Sequence, residues 1–310
     1  MHKRNIFITG ITGFLGSHIA QVFLRDGYSV VGLKRSTSDT WRCADYKAKV
    51  SWVNVDDMDW KEQAIKYKPF AVVHAAWGGV SAAHRNDLRS QSSNLNLLIE
   101  VLEVAQAAQA KKVVGFGSQA EYGIFEGIID ESFPANPTNA YGVAKLQSML
   151  TVRYFCETNH LRWYWLRLFP CFGEGESGEW FIPMLTRNIF AGIPMDMTSG
   201  LQQYAYLYVR DGAHWIKRMV ESDAVSGVYN VSSGKLISLK ALVEKVIKII
   251  NPAKNVIKIG ALPYRPHQSM IMGGDTSKLC SAIGTLEESD FAEKLKQTVD
   301  FIVRNPDRQG

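Results

Sequence analysis

The sequence predicts an α/β protein with a doubly wound parallel sheet, because strand and helix patterns alternate along its first half. An apolar run at 5–8 leads through a glycine-rich turn into an amphipathic helical pattern at 17–24. Four further short apolar runs follow, at 28–33, 50–56, 70–76 and 113–118. Helical spacing at 92–108 separates the last two runs, and such repeated units favour a parallel sheet with helices on both faces. The 310-residue chain, 46% hydrophobic and 21% charged, has room for this unit and a smaller second lobe.

The turn TGITGFLG (9–16) is the first candidate functional element. Its glycines follow the spacing GxxGxxG, with one more residue between the first two than in the GxGxxG of many dehydrogenases. Gly10 permits the tight turn, Gly13 lets the backbone approach a pyrophosphate, and Gly16 allows close helix packing. The helix N-terminus that follows offers free N–H groups to an anion. The sequence therefore predicts a dinucleotide-binding turn, formed by Gly10, Thr12, Gly13, Phe14, Leu15 and Gly16.

The end of the second strand predicts which cofactor is bound. In NAD-specific sites an acidic residue at this place binds the adenosine ribose hydroxyls. This chain has Lys34 and Arg35 there, which can pair with a 2′-phosphate and favour NADP(H) over NAD(H). A solvated basic loop is the alternative. Asp56, at the end of the third strand, is predicted to touch the adenine, and Ala75 leaves room for the cofactor after the fourth.

Tyr141 and Lys145 are four residues apart in a predicted helix at 139–158, so their side chains share one face. A free phenol has a pKa of about 10. A nearby ammonium favours the phenolate, so we expect Lys145 to lower the pKa of Tyr141 and make it a workable general acid or base. Ser118 ends the preceding strand, where its hydroxyl can bond a substrate carbonyl oxygen. The predicted catalytic residues are Ser118, Tyr141 and Lys145.

The composition changes after a sixth strand pattern at 162–169. A glycine-rich loop at 173–178 comes next, and a helical pattern follows it. We expect a dinucleotide-binding domain formed by residues 1–172 plus about 204–232. Residues of about 173–203 plus 233–310 are expected to form a smaller C-terminal lobe.

Charge and cysteine content exclude several other classes of protein. A net charge of +5 without a run of Lys or Arg does not indicate a nucleic-acid surface. The four cysteines are far apart and lack metal-ligand spacing, so no metal site is predicted and free thiols in a reducing compartment are expected. No apolar stretch reaches the length of a membrane span, and residues 1–4 leave no room for a signal peptide. We expect a cytoplasmic protein.

Five segments together resemble the extended short-chain dehydrogenases/reductases. They are TGITGFLG (9–16), GSQAEYG (117–123), DESFPANPTNAYGVAK (130–145), LRLFPCFGEGE (166–176) and YLYVRDGA (206–213). The resemblance is to the nucleotide-sugar epimerase/dehydratase/reductase group and spans nearly the whole chain. It implies a Rossmann-type fold whose C-terminal lobe binds a nucleoside-diphosphate sugar. It also implies a homodimer formed through the helices near 92–108 and 139–158.

The resemblance implies roles for individual residues. Tyr141 is the catalytic acid/base and also belongs to the cofactor site. Lys145 holds the nicotinamide ribose, and Ser118 orients the substrate. Asn94 matches the family's helix asparagine and is assigned to the cofactor site. The implied substrate-binding residues are Trp77, Gln119, Arg265 and Arg210, the two arginines as diphosphate ligands.

Departures from the family pattern help to choose among its reactions. Sugar 4,6-dehydratases carry acidic residues directly after the catalytic hydroxyl residue, whereas Ser118 is followed by Gln119 and Ala120. Glu121, one residue further along the chain, is an imperfect substitute for those acidic residues. Fucose-synthase-type enzymes have a cysteine where this chain has Gln119. The basic pair after the second strand argues against 4-epimerases that keep a tightly held NAD⁺.

We therefore expect an NADPH-dependent reductase of the 4-keto group of a nucleoside-diphosphate 6-deoxyhexose, with Tyr141 as proton donor. Two alternatives remain open: a nucleotide-sugar epimerase that uses the same residues, and a non-catalytic NADP(H)-binding sensor on the same fold. Tyr204 stands where the family has an arginine, so the diphosphate contacts are expected to differ from the family's.

Overall fold

A computed structural model describes residues 4–81, 83–306 and 308, and its main feature is a parallel sheet. The strands are β1 (Asn5–Thr9), β2 (Ser29–Lys34), β3 (Val50–Asn54), β4 (Ala71–His74), β5 (Lys112–Ser118), β6 (Gly127–Ile129), β7 (Arg162–Leu168), β8 (Cys171–Phe172), β9 (Met195–Met197), β10 (Gln203–Ala205), β11 (Leu207–Tyr208), β12 (Gly227–Val231), β13 (Leu236–Ser238), β14 (Ile257–Ile259) and β15 (Ile271–Gly274). Seven of them form the central sheet, in the order β3-β2-β1-β4-β5-β7-β12, with every pairing parallel. The order runs outward in both directions from β1 and β4. This doubly wound, Rossmann-type arrangement confirms the predicted fold class.

Helices cover both faces of the central sheet. They are α1 (Phe14–Arg25), α2 (Trp60–Lys66), α3 (Leu88–Ser92), α4 (Asn94–Ala107), α5 (Ala140–Thr158), α6 (Phe181–Ala191), α7 (Val209–Glu221), α8 (Leu239–Ile250), α9 (Ser277–Ile283) and α10 (Phe291–Arg304). α1, α7 and α9 pack on one face of the sheet, and the core between them and the sheet includes Ile8 and Ile216. α2, α4 and α5 cover the other face with a core that includes Phe7 and Leu102. Because both faces are covered, β4 and β5 are buried along their whole length. No helix in the described ranges has both the length and the apolar character to cross a membrane.

The helix predicted at 92–108 is α4 (Asn94–Ala107), and a short helix, α3, precedes it in the polar segment, with Ser93 between the two. The Ser93 hydroxyl donates a hydrogen bond to the Ser90 carbonyl at 2.7 Å, and the Asn94 side chain donates to the Gln91 carbonyl at 3.1 Å. Side chains that bond nearby backbone carbonyls compete with helical hydrogen bonding. The apolar spacing that predicts α4 does not extend back into α3, whose sequence is LRSQS.

The C-terminal part of the chain forms a second unit with its own core. A four-stranded sheet has the order β13-β10-β15-β6, and β14 pairs with β9. α6, α8 and α10 pack around a core that includes Leu185, Val243 and Val299. β6 and β10 belong to this second sheet, although they lie within or at the edge of the ranges predicted for the dinucleotide-binding domain. The first part of the chain therefore contributes strands to the second unit.

Candidate active site

The three predicted catalytic residues meet at the carboxyl end of β5. Ser118 is the last residue of this strand, and Tyr141 and Lys145 lie in the first two turns of α5. The Asn139 side chain accepts a backbone N–H of α5 at 2.8 Å and caps the helix. The Lys145 ammonium donates to the Phe116 carbonyl at 2.8 Å. The Ser118 hydroxyl lies near enough to the Tyr141 phenol to act against the rise of its pKa, so the hydroxyl and the phenol face the same point.

A fully buried carboxylate, that of Glu121, holds Ser118 in place. One of its oxygens accepts hydrogen bonds from the Ser118 N–H at 3.0 Å and the Trp165 indole at 2.9 Å. The other accepts from the Arg167 guanidinium at 2.8 Å, in an ion pair whose side chains are 0% and 5% exposed. A methyl group at Gly117 would lie 2.2 Å from this carboxylate, so the packing requires glycine there. Glu121 is engaged in the interior and is not a free acid for dehydration.

Cations and aromatic rings surround the Tyr141 side chain. The Trp77 ring meets it edge-on at 6.1 Å between centroids, and the Lys145 ammonium lies 3.5 Å from the Trp77 centroid. The Arg85 guanidinium carbon lies 4.2 Å over the Tyr141 ring and 5.9 Å from the Trp180 ring. A cation at these distances is attracted by a ring face. Arg85 was not among the predicted site residues, because it lies in a polar segment without a motif or periodicity.

The charges around Tyr141 differ from the sequence prediction. Burial raises the pKa of Tyr141, and the first group that acts in the opposite direction is the Arg85 guanidinium, followed by the Ser118 hydroxyl. Burial also lowers the pKa of Lys145 to about 7. The net direction is thus the reverse of the lowered pKa expected for Tyr141, and Arg85 is the group that most opposes the effect of burial. A buried ammonium is itself disfavoured, whereas a guanidinium stays charged.

The glycine turn has the shape that a diphosphate needs. Gly10 has φ +65°, and a methyl group there would lie 2.5 Å from the Ala76 nitrogen. A methyl group at Gly16 would lie 2.2 Å from the Gly10 carbonyl oxygen. α1 begins after Gly13 without a side-chain cap, so its first N–H groups are available to an anion. The turn therefore fits the pyrophosphate of a dinucleotide. Its remaining predicted residues lie beside it: Thr12, Phe14, Leu15 and, after β4, Ala75.

The structure brings the predicted basic pair and Asp56 together at the carboxyl end of the sheet. Lys34 is the last residue of β2, and Arg35 follows it and is exposed. The Asp56 carboxylate accepts hydrogen bonds from the Ser36 N–H at 2.6 Å and the Ser36 hydroxyl at 2.8 Å. These bonds hold the pKa of Asp56 below its usual range. Asp56 thus shapes the loop that presents the two cations.

Asn94 acts on the site through the loop that follows β4. Its side-chain oxygen accepts the Gly78 N–H at 2.6 Å, and its amide donates to the Gly78 carbonyl at 3.2 Å. The neighbouring Gln91 accepts a hydrogen bond from the Trp77 indole at 2.9 Å. Together these side chains hold Trp77 beside Lys145. The structure places Asn94 as a support of this loop, whereas the resemblance assigns it to the cofactor site.

The predicted substrate residues do not all meet in one place. Gln119 follows β5 directly and is partly exposed, and Arg265 is exposed in the loop before β15, near Tyr204. Arg210 instead lies 3.4 Å from Glu174 and lines a cavity with residues of α1 and α10. None of the three catalytic residues lines that cavity, because α7 and α5 cover opposite faces of the sheet. Within the described ranges, no group of His, Cys, Asp or Glu side chains is arranged to hold a metal ion.

The geometry of this site agrees with comparisons with known proteins. Residues 6–232 match the model of the NAD dependent epimerase/dehydratase family. One relative is the dTDP-6-deoxy-L-talose 4-dehydrogenase (NAD(+)) of Aggregatibacter actinomycetemcomitans, 25% identical over 87% of this chain and 99% of the relative. Another is the CDP-abequose synthase of Salmonella muenchen, 24% identical over 96% of this chain and 98% of the relative.

Solved structures share the fold across the whole chain. The dTDP-glucose 4,6-dehydratase of Bacillus anthracis, in complex with NAD, has a TM-score of 0.86 at 19% identity and covers 98% of each chain. The UDP-glucose 4-epimerase of Thermotoga maritima has a TM-score of 0.84 at 20% identity, covering 98% of this chain and 100% of the other. The family match includes the glycine turn, Ser118, Tyr141 and Lys145. The chain therefore belongs to the NAD dependent epimerase/dehydratase family, within the extended short-chain dehydrogenases/reductases.

Proposed function

We propose that the protein is an NADPH-dependent reductase of the 4-keto group of a nucleoside-diphosphate 6-deoxyhexose. The observation that carries this proposal is the meeting of Ser118, Tyr141 and Lys145 beside Gln119 and Ala120, where dehydratases have acids. The nearest carboxylate along the chain, Glu121, is engaged with Arg167 and the Ser118 backbone. The names of two relatives support the proposal, since one is a 4-dehydrogenase of a dTDP-linked deoxysugar and the other makes a CDP-linked sugar.

Each residue of the site has a defined task in this reaction. When bound, the nicotinamide cofactor supplies a hydride to C4. The Ser118 hydroxyl donates a hydrogen bond to the C4 carbonyl oxygen and orients it. The Tyr141 phenol then gives its proton to the alkoxide at that oxygen. Lys145, anchored on the Phe116 carbonyl, holds the ribose hydroxyls. Placement is decisive, because reacting atoms must come to about 3–3.5 Å.

The nucleotide sugar binds between the dinucleotide-binding domain and the C-terminal lobe. Trp77 and Gln119 contact the sugar, since both border the catalytic residues. Arg265 is the diphosphate ligand, because it is exposed beside Tyr204, where the family has an arginine. Arg210 has no part in this proposal, since Glu174 holds it in another cavity.

The reaction is tested by mixing the protein with NADPH and a CDP-, GDP- or dTDP-linked 4-keto-6-deoxyhexose and following the nicotinamide absorbance. We expect NADPH to disappear in stoichiometric amount with the keto sugar. Isomerisation of the sugar without net loss of NADPH would contradict the reductase assignment and identify an epimerase.

The basic loop after β2 predicts a preference for NADPH. Replacing Arg35 by Glu removes a cation expected to bind the 2′-phosphate and puts a negative charge beside it. Charge-assisted hydrogen bonds are each worth about 1.5–3 kcal/mol, so the dissociation constant for NADPH should rise by about 10- to 100-fold, with that for NADH little changed. Isothermal titration calorimetry measures both constants.

The matched control for this prediction is Arg25→Glu, the same charge reversal at an exposed residue of the opposite end of α1. It should leave both dissociation constants unchanged. A wild-type protein that binds NADH more tightly than NADPH, with no response to Arg35→Glu, would assign the site to NAD(H).

We also propose that the protein is a homodimer formed through α4 and α5. The support is a set of exposed apolar side chains on the two helices: Ile99, Val143, Leu150 and Tyr154. Sedimentation velocity should give a species of twice the chain mass, and a monomer at micromolar concentration would contradict the proposal.

A further inference from the structure

Arg85 is bound to Tyr141 in two independent ways. Its guanidinium carbon lies 4.2 Å over the phenol ring, and its backbone carbonyl accepts the Tyr141 N–H at 2.9 Å. The same guanidinium lies 5.9 Å from the Trp180 ring, at the start of α6. The side chain is half-buried, so one face of the guanidinium covers the phenol and the cation stays partly shielded from water.

Three charged groups act on the Tyr141 phenol. Glu121 disfavours the phenolate, but the Arg167 guanidinium pairs with its carboxylate in the interior. Lys145 is 5.7 Å from the Tyr141 ring, yet it is anchored on a carbonyl and on Trp77, and burial lowers its pKa to about 7. Burial therefore disfavours its charged form. Arg85 places a second cation against the phenol ring, and a guanidinium does not deprotonate in this range.

We propose that Arg85 is a positioning residue that stabilises the phenolate form of Tyr141 and fixes the orientation of its ring for proton transfer. This inference rests on the proposed function, in which Tyr141 gives its proton to the alkoxide at C4. The phenolate left behind then pairs with the guanidinium until a proton from water restores the phenol. The stacked guanidinium prevents the ring from turning away from Ser118, and the backbone hydrogen bond holds the first turn of α5.

The pH dependence of kcat tests the proposal in the variants Arg85→Gln and Arg85→Met. The reduction needs a protonated Tyr141, so kcat falls above the pKa of this phenol in the substrate complex. Removing a cation raises that pKa, and the alkaline limb should move up by about one pH unit. Arg85→Lys keeps a cation and should keep most of the wild-type profile. A KM close to that of the wild type is expected throughout, since Arg85 acts through Tyr141.

Arg89→Gln is the matched control, because it removes the same charge from an exposed position four residues along the same segment. Its pH profile should coincide with the wild type. Thermal unfolding checks that each variant is folded. If Arg85→Gln does not fold, Arg85→Met takes its place as the neutral variant. An alkaline limb that lies at the same pH in the neutral Arg85 variants and in Arg89→Gln overturns the proposal.

A titration without substrate separates this proposal from the assigned reaction. The chain has 12 tyrosines, so the tyrosinate absorbance of Tyr141 is obtained as the difference between each protein and its Tyr141→Phe counterpart. Tyr141 should ionise at higher pH in Arg85→Gln than in the wild type. Equal ionisation in the two, or no ionisation of Tyr141 in the wild type below pH 12, overturns the proposal. This titration contains no nucleotide sugar. Its result therefore does not depend on whether the turnover assay detects reduction of the keto sugar.

Discussion

Replacing Tyr141 by Phe should lower kcat by about a hundredfold to ten-thousandfold, the contribution that a positioned proton donor makes. The ring of phenylalanine keeps the packing against Trp77 and Arg85, so only the hydroxyl is lost. Cofactor affinity should stay within about twofold, because the glycine turn and Lys145 are untouched. Steady-state kinetics and a cofactor titration measure the two effects separately.

The matched control is Tyr67→Phe, which removes a phenol hydroxyl at the end of α2, from a residue that is 37% exposed. This variant should keep wild-type kcat. Turnover by Tyr141→Phe at the wild-type rate would show that another group supplies the proton and that the assignment of Tyr141 is wrong.

Replacing Glu121 by Ala should lower the free energy of unfolding by about 3–5 kcal/mol, the loss found when one partner of a buried ion pair is removed. The change leaves Arg167 charged and unpaired in the interior, and it leaves the Trp165 indole and the Ser118 N–H without their acceptor. Unsatisfied buried donors add to the loss. Urea-induced unfolding followed by tryptophan fluorescence measures the difference.

Glu103→Ala is the control for this prediction. Glu103 pairs with Lys61 at 3.2 Å, but the two side chains are 51% and 38% exposed. Water already screens such a pair, so its loss should change the free energy of unfolding by less than about 1 kcal/mol. If Glu121→Ala is no more destabilising than Glu103→Ala, the buried carboxylate does not hold β5 and Ser118 together as described.

Much of the fold followed from local patterns. The alternation of strand and helix signals predicted a doubly wound parallel sheet, and six of its seven strands fall within the predicted apolar runs or overlap them. The short helix α3 before Ser93 was not predicted, because its sequence LRSQS has no helical spacing of apolar residues. The sequence also did not predict that β6 and β10 belong to the second sheet. These strands are short, and they pair with strands that are far away in the sequence.

Some residues of the site were predicted and others were not, because several contacts join residues that are far apart in the sequence. The structure brings Ser118, Tyr141 and Lys145 together as expected, because strand end and helix start lie at one edge of the sheet. Arg210 was expected to bind the diphosphate of the substrate, but it pairs with Glu174 on the opposite face of the sheet. No spacing rule connects these residues.

The sequence by itself determined the fold class, the dinucleotide turn and the pair Tyr141 and Lys145, because each depends on neighbours within a few positions; Ser118 followed from its place at the end of a predicted strand. Only the tertiary structure decided which cation faces Tyr141, where the carboxylate of Glu121 points and that Asn94 supports the Trp77 loop. These outcomes depend on contacts between loops and strands that the fold brings together at the edge of the sheet. There burial lowers the pKa of Lys145, and the Arg85 guanidinium lies over the ring of the phenol.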